Sequence, residues 1–280
     1  MQHKADKGFL TIAQNTNDVN YLELAYLQAL NIKVTQPNSL YAVIVDELTQ
    51  SQITDTQRRA FDYVITLKQD NAKDANWKLS NEWQIFWLTP FKETIKLESD
   101  LLFTRDISHW WQALRLRNVV LSYGVVDYQQ RHSTNRNYRK LFDYNNMPDV
   151  YNGMMYFRYS KEASEFFTLA KEIYKNWDSI RDFGLTNVRD EHPTTDVVYG
   201  IVSTMVDQEP YIPSLDFFRF AHMKPGIQGW AETVKVFDSV HVENDLAEMR
   251  INNVLQLYPV HYHDKNFIVK DLINQYENQL

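Results

Sequence analysis

Apolar residues gather early in the chain into short, near-continuous runs that alternate with stretches of helical spacing. Residues 8–14 (Gly8-Phe9-Leu10-Thr11-Ile12-Ala13-Gln14) read as a strand that breaks into polar Asn15-Thr16-Asn17-Asp18. Over residues 21–32 the apolar positions Leu22, Ala25, Tyr26, Ala29 and Leu30 recur at helical intervals, with Asn17 or Asp18 as the cap. Residues 40–46 repeat the strand pattern, 51–60 the helix and 61–67 the strand. Strands that are apolar on both faces and joined through helices predict a parallel sheet covered on both sides. Ligands in such sheets sit beyond the carboxyl ends of the strands. That rule brings Gln14–Asp18, Asp46-Glu47 and Glu98–Asp100 to one crevice.

Residues 70–81 form a polar connection, and 82–91 an aromatic-rich short helix stopped by Pro90. The next strand, from Glu93 to Leu97, runs into Glu98-Ser99-Asp100 before apolar Leu101-Leu102-Phe103 resumes. If the strand continues through them, Glu98 and Asp100 point the same way and Ser99 the other. Two carboxylates on one face repel each other and cost desolvation unless a cation or a donor lies between them. Further on, helices are predicted over 106–116, 161–177 and from Glu191-His192-Pro193-Thr194-Thr195-Asp196 to about residue 206. Strands are predicted over 119–126 and 150–157, the latter with Gly153 inside it, where backbone can bulge or approach a ligand. After Tyr211 come short strands and loops, then residues 257–265 and a last helix. No repeat, low-complexity tract or linker interrupts the chain, which predicts one domain over 1–280.

Composition narrows the function classes. The 280 residues carry a net charge of −7, which disfavours broad non-specific nucleic-acid binding. The absence of cysteine removes disulfides, thiolate metal sites and a thiol nucleophile. The polar start predicts no signal peptide, no apolar run reaches the length of a membrane span, and a cytoplasmic protein is the default expectation. Aromatic content of 14% suits pockets that grip flat or amphipathic ligands.

The order of parts resembles the nucleotide-sugar glycosyltransferases of the A-type (GT-A) fold, in particular the family of bacterial galactosyltransferases and glycogenin, in a phage or bacterial branch. The motifs that carry the resemblance are Leu97-Glu98-Ser99-Asp100-Leu101-Leu102 for the acid-x-acid signature, Asn152-Gly153-Met154-Met155, Thr194-Thr195-Asp196, and His261-Tyr262 with Lys265. Glu98 stands where that family has its first Asp, and the family's Lys-Pro-Trp near the C-terminus is missing. The resemblance implies an α/β fold: a single Rossmann-like domain whose central, mostly parallel sheet is flanked by helices, with a smaller acceptor-side subregion. Residues up to about 105 would bind the nucleotide, and 106–280 would hold the acceptor half and a C-terminal metal and phosphate segment.

It further implies a hexosyl- or pentosyltransferase that uses a nucleotide-sugar, most simply a UDP-sugar, with Mn²⁺ or Mg²⁺. Asp100, Glu98 and His261 would supply the oxygen and imidazole ligands such an ion takes. On a strand His261 and His263 face opposite ways, so at most one of them ligates. Gln14, Asn15, Tyr21 and Asp46 would hold the nucleotide, and Ser99, Lys224 and Lys265 the diphosphate. Asp196, Asn152 and Thr195 would face the reacting sugar. The basic segment with Arg131, Arg136, Arg139 and Lys140 reads either as a solvated face or as contacts to an anionic acceptor, a hydroxymethylated DNA base included. The alternatives are a nucleotidyltransferase and a non-catalytic nucleotide-binding relative. The former lacks support because the turn after the first strand has neither glycine nor a basic residue.

Overall fold

A computed structural model describes residues 4–132, 139–188, 190–206, 210, 217–224, 242–245, 248–265, 267 and 269–280. In chain order the elements begin with β1 (Ala5–Ile12), α1 (Tyr21–Thr35), β2 (Tyr41–Val45), α2 (Glu47–Ser51), α3 (Asp55–Ala60) and β3 (Tyr63–Thr66). After a 3₁₀ turn (Leu79–Gln84) follow α4 (Ile85–Leu88), β4 (Phe91–Leu97), β5 (Leu101–Leu102), α5 (Trp110–Leu114) and β6 (Val119–Tyr123). Then come α6 (Lys140–Tyr144), β7 (Val150–Arg158), α7 (Lys161–Lys175), α8 (Trp177–Gly184) and α9 (Thr195–Met205). The chain closes with β8 (Ala221–His222), β9 (Val242–Asn244), β10 (Met249–Ile251), β11 (Val254–Leu255), β12 (Val260–His261) and α10 (Val269–Glu277).

Six strands form the central sheet in the order β3-β2-β1-β4-β7-β6. The first four run parallel, as their apolar runs predict, whereas β7 is antiparallel to both β4 and β6. Strand direction depends on the route of the connections and leaves no mark in a two-sided apolar run. One apolar cluster packs α1, α5 and α10 on one face of the sheet, and a second packs α4, α7 and α9 on the other. The helix predicted over 51–60 is the shorter α3, opened by a Thr54–Gln57 capping box, with α2 preceding it. The strand predicted over 119–126 ends at Tyr123, before Gly124 turns the chain at φ +73°.

Helix α1 is buried nearly all round, and its polar residues anchor the next layer. Gln28 donates to the carbonyls of Glu98 and Leu101, both at 2.7 Å. Asn31 donates to the Phe103 carbonyl at 2.9 Å and accepts from the Phe103 amide at 2.8 Å. A buried amide left unmet costs about 1–3 kcal/mol, so these bonds fix the segment after β4 against α1. Strand β12 then pairs antiparallel with β5 and parallel with β8, which sets His261 beside Leu101 on one side and His222 on the other.

Candidate functional site

The acidic pair does not lie on a strand. Strand β4 stops at Leu97, and Glu98 to Leu101 is a turn closed by the Leu101 amide donating to the Glu98 carbonyl at 3.2 Å. The Glu98 amide donates to the Gly153 carbonyl at 3.0 Å, and the Tyr262 amide to the Asp100 carbonyl at 3.1 Å. The turn still brings both carboxylates to one place, because His261 on β12 meets each of them through Nε2 at 3.1 Å. One ligand atom from each of Glu98, Asp100 and His261 lies within 4.8 Å of the others. Burial pushes the Asp100 carboxyl up, but His261 and Lys265 outweigh it and hold the group well below the usual carboxylate range. The Lys265 ammonium is in direct contact with Asp100 and lies 5.8 Å from the centre of the Tyr21 ring.

His263 corrects a second expectation. The strand ends at His261, and a left-handed His263 (φ +52°) swings the chain so that both imidazoles line the same cavity. Their ring centres are 6.2 Å apart, and that of His222 is 4.7 Å from His261. Burial, followed by the nearby His261, Lys224 and Lys265, lowers His263 to about 3, so it is neutral at physiological pH.

The cavity has a volume of about 440 Å³, and Gln14, Tyr21, Ser99, Lys224, Lys265, Thr195 and Asp196 line it along with the triad. Thr195 shares a 2.8 Å hydrogen bond with Tyr174. Asp196, in the first turn of α9, accepts the Asn152 amide at 2.6 Å and is paired with Arg139 at 2.6 Å. Three predicted contacts fall outside the lining. Asn15 spends its side chain on the Leu22 amide and Gln52, bracing β1 to the helices. Asp46 caps α2 by accepting the Thr49 amide at 2.7 Å and takes Gln14 at 3.1 Å. Asn152 is fully buried on β7, where Lys96 donates to its Oδ1 at 3.0 Å and its Nδ2 faces Glu98 at 3.3 Å.

The basic segment is largely committed elsewhere. Arg139 is 3% exposed and is bound by Asp149, Asp196 and the Val150 carbonyl, while Arg131 is paired with Asp127 at 2.7 Å. Lys140 is exposed at the start of α6, and Arg136 lies outside the described residues. Among the described residues of the segment, Arg131 and Arg139 are thus held in ion pairs and Lys140 is exposed.

Sequence reasoning missed the support beneath the turn. Lys96, with no side-chain exposure, faces Glu82 Oε2 at 2.9 Å, and Glu82 lines the cavity. Burial raises the Glu82 carboxyl, with Lys96 opposing the rise. The signal available was a lysine between Ile95 and Leu97 in a segment that reads as a buried strand.

No family model and no curated protein matches the sequence. Solved structures do match the fold. The bifunctional glycosyltransferase WbbM aligns over 98% of this chain and 50% of its own, with 12% identity and a TM-score of 0.53. An active-site mutant of LgtC aligns over 98% of this chain and 96% of its own, again with 12% identity and a TM-score of 0.53. The fold is that of the GT-A glycosyltransferases. The chain thus spans about half the length of WbbM and nearly all of LgtC. Within the GT-A fold the acidic turn follows the central strand β4, and the cavity opens at the carboxyl end of the parallel strands. Among the described residues no helix is long and apolar enough to cross a membrane.

Proposed function

We propose that the protein is a metal-dependent glycosyltransferase that moves a sugar from a nucleoside diphosphate donor, of the UDP-sugar type, to an acceptor hydroxyl. The convergence of Glu98, Asp100 and His261 within 4.8 Å, on the wall of a cavity in a GT-A fold, carries the reading. Two carboxylates and an imidazole are the donor set that Mn²⁺, or Mg²⁺ with the carboxylates alone, accepts. A divalent ion held by these residues would neutralise the charge that builds on the departing diphosphate.

The rest of the chemistry belongs to the chain. Lys265 and Lys224 bring positive charge to the side of the cavity where a diphosphate would lie, and Tyr21 and Gln14 frame the nucleotide beyond them. Asp196 and Thr195 face the donor sugar, with Asp196 fixed by Arg139 and by the Asn152 amide. A carboxylate held by two donors keeps its geometry as charge shifts in the transition state. Asn152 acts through Glu98, whose carboxylate it orients, rather than on the sugar itself. Residues 1–280 work as one transferase unit in this reading.

The test is a screen of nucleotide-sugars with Mn²⁺ for slow transfer to water, which requires no knowledge of the acceptor. Wild-type protein should hydrolyse at least one of them in a metal-dependent manner. Asp100→Asn, which keeps shape and removes charge, should cut that rate by about a hundredfold or more. Unchanged turnover in the variant, or preference for a nucleoside triphosphate, overturns the reading.

A further inference from the structure

The two ends of the central sheet differ in charge. The acidic turn and its cavity lie at the carboxyl end of the parallel strands. The opposite end is a rim of four chain segments, residues 4–7, 91–93, 115–118 and 158–162. Backbone bonds join them: the Lys4 amide donates to the Pro90 carbonyl and the Tyr159 amide to the Lys92 carbonyl, both at 2.8 Å. The Arg158 amide donates to the Asn118 carbonyl at 3.0 Å, and Lys7 lies opposite Glu93 in the β1–β4 register. These segments hold seven cations and three acids, in a chain whose net charge is −7. Two of the acids are spent in ion pairs, Asp6 with Lys92 and Glu93 with Arg115, each at 2.7 Å. Glu162 is then the one acid left in the rim, against Lys4, Lys7, Arg117, Arg158 and Lys161. Among these cations stand two exposed apolar side chains, Leu116 at 65% and Tyr159 at 54%.

We propose that this rim docks the protein on the surface of an anionic lipid bilayer. Each lysine or arginine held near such a surface adds to the attraction, and the pairs with Asp6 and Glu93 leave the excess of the rim untouched. Leucine and tyrosine tips flanked by cations suit the headgroup boundary, where the apolar part enters and the charged heads stay on lipid phosphates. The other anionic surfaces fit less well. A folded acidic protein is gripped through a buried, aromatic-rich centre, whereas the large apolar side chains exposed on this rim, among the described residues, are Leu116 and Tyr159. Single-stranded nucleic acid calls for free aromatic faces, and one face of Tyr159 is already stacked on Phe86, with ring centres 5.7 Å apart. A bilayer asks for neither a groove nor a stacking platform. The seven residues of β4 separate the rim from the acidic turn, roughly 23 Å at the rise of a strand. A protein docked this way holds its cavity clear of the headgroups. The inference stands apart from the transferase reading, since it uses none of the residues of the cavity.

Co-sedimentation of the full chain with vesicles tests the rim. The probes are vesicles of phosphatidylcholine alone and of phosphatidylcholine with about 30% phosphatidylglycerol, in about 0.1 M NaCl. Binding to the anionic vesicles should be about tenfold tighter or more, and should fall as NaCl is raised to about 0.5 M. Arg117→Glu combined with Lys161→Glu should weaken it by about tenfold or more. Leu116→Ser, which leaves every charge in place, should weaken it about threefold. Lys175→Glu makes the same change of charge at the other end of α7 and should alter binding by less than about twofold. All four side chains are exposed, and a melting temperature like that of the wild type checks the fold of each variant. Equal binding to the two kinds of vesicle, equal loss in Lys175→Glu and in the rim variant, or no response to Leu116→Ser overturns the inference. Binding to soluble polyglutamate as tight as to the anionic vesicles also overturns it, by making an acidic protein the partner.

Discussion

Lys96 pairs with Glu82, holds the Asn152 amide and has no exposed surface of its own. An amide with its oxygen on a lysine must turn its nitrogen toward the remaining acceptor, which is Glu98. One buried cation thus sets the orientation of an acid on the neighbouring turn. Lys96→Met leaves Glu82 buried without its partner, and should cost about 3–5 kcal/mol in a urea titration. Adding Glu82→Leu to that variant should recover most of the loss, because apolar replacement of a whole buried pair is often neutral. Failure of the double variant to regain stability would mean that the pair is held by more than its own charges. Arg139 plays the parallel part on the other side, where it holds Asp196.

At the scale of elements, β7 presses the site from below. A Cβ on Gly153 would come within 2.6 Å of the Phe220 ring, and that ring lies 5.6 Å from His261 and 5.6 Å from His222. Gly153→Ala should therefore destabilise by about 1–3 kcal/mol and move Phe220 against the imidazoles, seen as a shifted His261 ring resonance in NMR. A variant with wild-type stability and an unmoved resonance would show that Phe220 yields freely. Elements whose sequence carries a clean period were legible before any coordinates: β1 to β4, β7, α1, α7 and α9 all match a predicted segment. The acid-x-acid stretch and His261 were legible too, as residue types in an unusual place. What could not be read is non-local. Asp46 and Asn15 are polar residues at strand ends like Gln14, and only their partners reveal that they cap and brace. Arg139 finds its partner Asp196 57 positions away. His263 faces the cavity because of a left-handed backbone, which a histidine does not announce.

Across the whole molecule, the corner of Glu98, Asp100 and His261 is assembled from distant pieces. Helix α1 holds the turn, β7 supports it, and the C-terminal strand β12 delivers the imidazole. Helix α10 locks α1 in turn, through Tyr26 to Glu277 at 2.5 Å and Asn31 to Tyr276 at 2.9 Å. Lys265 follows closely on β12 and binds Asp100, so metal and nucleotide should be coupled. A cation taking Asp100 must displace the lysine, and a diphosphate offers that lysine a new anion. Manganese affinity measured by electron paramagnetic resonance should rise about tenfold when UDP is present, and equal affinities would deny the coupling. The same amine has a quieter consequence. If the proposed ion binds there, this amine is its tethered understudy, which no chelator can strip away, so removing the metal should leave the fold intact.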